Sequence, residues 1–313
     1  MEATAGPYAW DPHLIAWVIL ALAVVLVVAG HRRLARAAPL PTPWTPRQIR
    51  QFAAAFVIAA VAVTWPAADL AAHWSLIALV TQRLILLLAV APLLLLGLPD
   101  DVVQWMTRPR AVDTVLTRLS RPPVAIVAVT VLAVGSMVPV LVRLQSTSLL
   151  GRGLEDAVTV FAGLVLWIPV LGRIPGIVRP RPVVRFGYLV AQAVTPAFLS
   201  FIYIFSRHPL YPSFAGSKTA TGLQPLNDQQ VAGFVSKLTM LAVLLTVGGV
   251  VLARTQASDE NLGEEDPLVW ADVEREFERA DRKSSRAAPE GRGPGMVEPA
   301  EAPDLPEDHR PDP

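Results

Sequence analysis

The chain has 313 residues, 53% hydrophobic and 17% charged, against roughly 45–50% apolar and 25% charged for a soluble domain. Of its 26 acidic residues 17 lie after Ser258, so the near-zero net charge hides a basic apolar part and an acidic tail, and gives no ground for nucleic-acid binding. It has no cysteine, which excludes disulfides, thiolate metal sites and a cysteine-based copper relay.

Residues 1–13 carry Glu2 and Asp11 but no Lys or Arg, and the apolar run 14–30 is followed by His31-Arg32-Arg33. A signal peptide carries its positive charge before the apolar run, so the run is expected to be retained as helix 1 with its N-terminus outside. The proline-rich stretch 37–48 is expected to be an extended connector. Helix 2 is predicted over 49–64. Then comes a Trp65-Pro66 corner, a short acidic loop and helix 3 over 74–98, with the charge of Arg83 inside it and a kink at Pro92. Helix 4 is predicted over 124–144 with Pro139 in its outer half, helix 5 over 157–171, helix 6 over 183–205 with Pro196 inside it, and helix 7 over 231–253. Each is read as a membrane span, which takes roughly 20 apolar residues.

The connectors support this count. Those after helices 1, 3 and 5 hold thirteen arginines, whereas those after helices 2, 4 and 6 hold four basic residues, Arg143, Arg152, Arg207 and Lys218. Cytoplasmic loops collect Lys and Arg. The expectation is an all-α bundle of seven transmembrane helices over 1–255, N-terminus outside and C-terminus inside. Trp10, Trp17, Trp65, Trp74, Trp105 and Trp167 fall near predicted span ends, as an aromatic belt does. A cytoplasmic acidic tail, 256–313, follows. In it Asp266-Pro267 opens a short helix with Trp270, Val273, Phe277 and Ala280 on one face, over about 266–283. Disorder is expected after Lys283.

The motifs of common enzymes are absent: there is no P-loop, no G-x-G-x-x-G, no H-E-x-x-H and no G-x-S-x-G, so a non-catalytic role is expected. The predicted topology puts His13, His73 and His208 outside, and His31 and His309 inside. His73, His208 and the soft donor Met137 are the candidate metal ligands, with Cu(I) the metal they suit; Met240, in helix 7, reads as core filler. Arg83, about 13 Å into helix 3 at 1.5 Å per residue, needs a partner, with Asp69, Glu155, Asp156 and Asp228 as candidates or, failing these, an anionic ligand. Lys237, nearer the outer end of helix 7, can snorkel.

Several pieces, in order, carry a resemblance: Trp65-Pro66, Gln82, Pro92 with Gly97-Leu98-Pro99, Pro139, Trp167-x-Pro169, Tyr211-Pro212 and Asp228-Gln229-Gln230-Val231-Ala232-Gly233. Over about residues 50–255 the chain resembles the CtaG-type cytochrome c oxidase assembly factors, the family linked to caa3-type oxidases. The resemblance implies a seven-span protein of a bacterial cell membrane that helps a haem–copper oxidase mature, with copper as a candidate cargo and oxidase subunits and membrane lipid as partners. The candidate ligand or partner contacts are Gln82, Tyr211, Asp228, Gln229 and Gln230 from the shared pieces, together with Arg83, Asp69 and Lys237 from the charges read above. The chain departs from the family pattern where histidines are expected on helix 3 (here Leu79 and Arg83), before Val138-Pro139 (here Met137) and after Leu154-Glu155 (here Asp156). Two other readings compete. A transporter of a small solute or metal ion would want inverted repeats or paired broken helices, which are not evident. A retinal-type receptor would want a carboxylate on helix 3, and 74–98 holds none.

Overall fold

A computed structural model describes residues 10, 12–37, 43–177, 179–195, 197–215 and 220–287. The described residues are helical, with no strand among them. Five helices are long and apolar enough to cross a membrane, or seven spans result if each of two bent pairs counts as one. By its contacts the chain divides into two units, 1–256 and 257–313.

Helix α1 (Leu14–Ala37) has no buried residue. Instead it is tied at its two ends: His13 Nε2 lies 3.0 Å from Asp69 Oδ2, and His31 Nδ1 lies 2.8 Å from Asp101 Oδ2. Helix α2 (Pro46–Val63) starts earlier than predicted. Thr45 caps it reciprocally with Gln48, and Pro46 occupies the first turn, where its missing N–H costs nothing. The predicted acidic loop is a helix, α3 (Ala67–Trp74), and the Trp65–Pro66 peptide before it is cis.

Helix α4 (Leu76–Gly97) is the predicted helix 3. Its wide turn over Leu86–Val90 is π-helical, with the Ala91 N–H bonded to the Leu86 carbonyl. The next bond in that frame would run from residue 92 to the Leu87 carbonyl. Pro92 has no N–H; the indole of Trp167 supplies the missing donor, Nε1 to Leu87 O at 3.0 Å. Trp167 is therefore a buried joint between helices, 3% exposed, and not part of an aromatic belt.

The predicted arginine-rich connector after α4 holds two helices, α5 (Asp100–Thr107) and α6 (Arg110–Leu119). The predicted helix 4 is two pieces, α7 (Pro122–Gly135) and α8 (Pro139–Thr147), separated at Ser136-Met137-Val138, because Pro139 begins a new helix and does not sit inside one. Helix α9 (Leu149–Leu171) starts eight residues before the predicted helix 5: Ser148 caps it, and Gly172, in the left-handed region at φ 58°, ends it. The predicted helix 6 corresponds to α10 (Pro182–Val194) and α11 (Ala197–Phe205), together the candidate span Pro182–Phe205; Pro196 lies outside the described residues. A short α12 (Pro212–Ala215) precedes α13 (Pro225–Ala287), whose apolar part is Pro225–Ala257. The Asp228 motif is thus in the first turns of a helix and not in a loop. In the second unit the helix continues through the predicted 266–283 to Ala287, four residues past the expected onset of disorder; 288–313 lie outside the described residues.

The core forms where α9 packs against α4, α7 and α8. The tightest point of that crossing is Gly163. A Cβ there would meet Ala91 Cβ at 2.6 Å and Leu87 O at 2.8 Å, so only glycine lets the two backbones close, the usual device between helices in lipid. Gly163→Leu is expected to separate α9 from α4 and pull Trp167 off Leu87. Loss of the folded species on size-exclusion chromatography in detergent would show it, and a normal profile would refute it.

Candidate functional site

One cluster of buried polar groups surrounds Arg83. The sequence places it on α4 one turn before the π-helical stretch, and its guanidinium, on a residue 9% exposed, reaches three elements. Nη1 donates to Ser136 Oγ in the break between α7 and α8. Nη2 donates to Gln145 Oε1 on α8 at 2.7 Å. Both nitrogens lie 3.4 Å from Glu155 Oε2 on α9. Of the four carboxylates considered from sequence, Glu155 is the partner. Ser136, Gln145 and Glu155 are themselves 5% exposed or less. An arginine at the centre of a membrane helix is worth about 2.5–3.5 kcal/mol of penalty on insertion scales, and this set of acceptors is what offsets it.

Beside Arg83 lies a cavity of about 80 Å³ lined by Met137, Thr159, Tyr203, Ser236 and Met240 among others, room for about two waters at roughly 30 Å³ each. A chain of hydroxyls closes its wall. Tyr211 OH donates to Met137 O at 2.7 Å, which uses its one proton, so Tyr203 OH is the donor in the Tyr203–Tyr211 bond. The unwound Met137 carbonyl between α7 and α8 is satisfied in this way. Neither Ser136, Gln145 nor Tyr203 stood out in the sequence. The one available signal was that Arg83 needed acceptors, and it did not say which.

Asp228, 1% exposed, caps a helix that is not its own. Ser75 Oγ donates to its Oδ1 at 2.8 Å, the Leu76 N–H to its Oδ2 at 2.6 Å and the Ile77 N–H to the same oxygen at 3.3 Å. The carboxylate thus sits on the positive end of α4. Gln229 Oε1 accepts from the Leu210 N–H at 2.7 Å, and its Nε2 donates to Tyr203 O at 3.4 Å; Gln230 Nε2 reaches Ser206 O at 3.5 Å. A Cβ on Gly233 would meet Ser200 O at 2.9 Å, so glycine lets α13 seat against α11. Lys237 Nζ stands 5.9 Å from the centre of the Phe201 ring, at the outer limit of a cation–π contact.

At the His13 end of the bundle Arg152 bridges two groups: Nη1 lies 3.5 Å from Asp69 Oδ1 and Nη2 lies 3.2 Å from His73 Nε2. Gln82 Nε2 donates to Asp156 Oδ1 at 3.4 Å, while its buried Oε1 has no partner among the described residues. Asp156 also lines a long apolar groove of about 810 Å³ between α1 and α2, α4 and α9, with His13 at one end and Leu98 and Met106 at the other.

The three candidate metal ligands are differently placed. Met137 faces the Arg83 cavity. His208 is exposed in the segment after α11, its main chain tied to Ser206. The His73 Nε2 lone pair faces a guanidinium N–H, and a cation bound there would stand against the charge of Arg152. Among the described residues no three His, Cys, Asp or Glu side chains come together as a metal site. This donor set does not fit a copper ion.

Comparison with known proteins agrees with the architecture. No curated protein and no solved structure matched the chain. A family model described as cytochrome c oxidase caa3 assembly factor matches residues 14–258, which takes in every element from α1 to the end of the apolar part of α13. The chain, an all-helical protein with apolar helices of membrane-crossing length, therefore belongs to the cytochrome c oxidase caa3 assembly factor family.

Proposed function

We propose that the chain acts without catalysis, as a seven-span scaffold of a bacterial cell membrane that holds an oxidase subunit while its cofactors are inserted. The membership of the family carries this reading. The thirteen-to-four bias of basic residues in the connectors supports an outside N-terminus and an inside C-terminus. That orientation puts His13, Asp69, His73 and Asp228 towards the outer face. The polar residues shared with the family support a scaffold more than a carrier, since Asp228, Gln229, Tyr211 and Trp167 are all spent on joints between helices. Oxidase subunits are the partners.

The test is a gene deletion read by haem a absorbance and oxidase activity, with and without added copper. Loss of oxidase is expected, unrelieved by copper, and restored both by the wild-type chain and by the double variant His73→Ala, His208→Ala. Restoration by copper alone would make the chain a copper donor and not a scaffold. A normal oxidase in the deletion strain would remove the function altogether.

A further inference from the structure

We infer that α6 lies flat in the cytoplasmic interface of the membrane and binds the phosphates of anionic lipids. Three observations carry this. The first is its direction: α7 is apolar on every side and packs on the spanning helix α9, so it runs through the hydrocarbon. Helix α6 meets it at a bend of 94°, so α6 runs along the membrane plane. The second is its pattern. At 3.6 residues per turn, Val112, Val115, Leu116 and Leu119 fall on one face of α6, and Arg110, Asp113, Thr114, Thr117 and Arg118 on the other. Leu116 and Leu119 pack on the core, while Val112 and Val115 are exposed, as are Trp105 and Met106 at the end of α5. These four are large apolar side chains left uncovered by the rest of the bundle. The third is charge. Arg108, Arg110, Arg118 and Arg121 are all exposed around this face, with Asp113 the one acid between Arg108 and Arg121.

An amphipathic helix of this kind, apolar below and arginine-rich above, is held by buried apolar area together with attraction to anionic lipid. Juxtamembrane Lys and Arg near an anionic leaflet each strengthen that hold, and the guanidinium fork suits phosphate oxygens. The sidedness follows the orientation proposed above, but the interfacial position does not depend on it, nor on any role in oxidase assembly.

The absence of cysteine from the chain makes the test clean, because one introduced cysteine labels one place. Full-length Val115→Cys and Thr114→Cys carry an environment-sensitive fluorophore in vesicles of phosphatidylcholine alone or with phosphatidylglycerol. The Val115 probe is expected to emit as in an apolar medium and to be quenched by a spin label carried shallowly on lipid chains, and the Thr114 probe to emit as in water. Adding phosphatidylglycerol is expected to deepen quenching at Val115 by at least twofold, and Arg110→Gln with Arg118→Gln to abolish that increase. The proposal falls if the two probes behave alike, or if the Val115 probe is shielded from water yet not quenched from the lipid, which would mean that a protein covers the face. It falls equally if the phosphatidylglycerol effect is absent or survives the loss of both arginines.

Discussion

Arg83→Leu is expected to destabilise the bundle by about 3–5 kcal/mol, the range for removing one partner of a buried ion pair. The size follows from what is left behind. Glu155 is 5% exposed and its Oε2 faces the two guanidinium nitrogens; without them a carboxylate is held in an apolar interior. Gln145 and Ser136 lose their donor as well. Folded stabilities lie in the region of 5–15 kcal/mol, so the single variant should unfold in mild detergent at a clearly lower temperature than the wild type. The companion variant separates a structural role from a functional one. Arg83→Leu with Glu155→Leu removes both charges, and replacing a buried pair by apolar groups is often neutral. The double variant is expected to recover most of the thermal stability in detergent. If the single variant is as stable as the wild type, Arg83 is not held by this pair. If the double variant is stable yet fails to restore oxidase in a deletion strain, the cluster does more than hold helices together.

Asp228→Ala should cost about 2 kcal/mol, the upper end for a helix cap lost together with a favourable charge at the helix end. Its carboxylate takes three donors at the start of α4, and it does so across 152 residues of sequence from Leu76, so the cap also fastens α13 to α4. Asp228→Asn keeps an oxygen for these donors and gives up only the charge, so it should cost less. Hydrogen exchange reads the effect directly. The amides of Leu76 and Ile77 should exchange faster in Asp228→Ala than in the wild type, with Asp228→Asn between them. Unchanged protection at those two amides would show that Ser75, which also caps the Ala78 N–H, suffices alone.

Apolar runs made most of the spans legible, because length and hydropathy are local properties. Two local signals existed and pointed past the expected boundary. Thr45-Pro46-Arg47-Gln48 is a capping box with a first-turn proline, although its surroundings read as a proline-rich connector. Ser148 caps α9 eight residues before the expected start, because Arg152, Glu155 and Asp156 had the look of a loop. Their charges are tolerated inside a helix since Asp69 and Arg83, far away in sequence, neutralise two of them. That pairing is non-local, and no window on one sequence reveals it. Pro92 illustrates the same limit. A disturbance at residue 92 was predictable, but its form as a π-helical turn depends on a donor 75 positions on, the indole of Trp167. The tie between Arg83 and a carboxylate was readable as a need, and the choice of Glu155 was not.

The weak hold on α1 bears on how the chain is made. Nothing in α1 is buried, and its ties run to Asp69 and Asp101, both of which leave the ribosome after it. The first helix is apolar enough to stand as a single span, and these two ties close only once α3 and then α5 have been synthesised. Each tie closes as its aspartate arrives, the Asp69 end first. A nascent chain whose Asp69 has emerged while Asp101 has not would hold the first of these ties without the second.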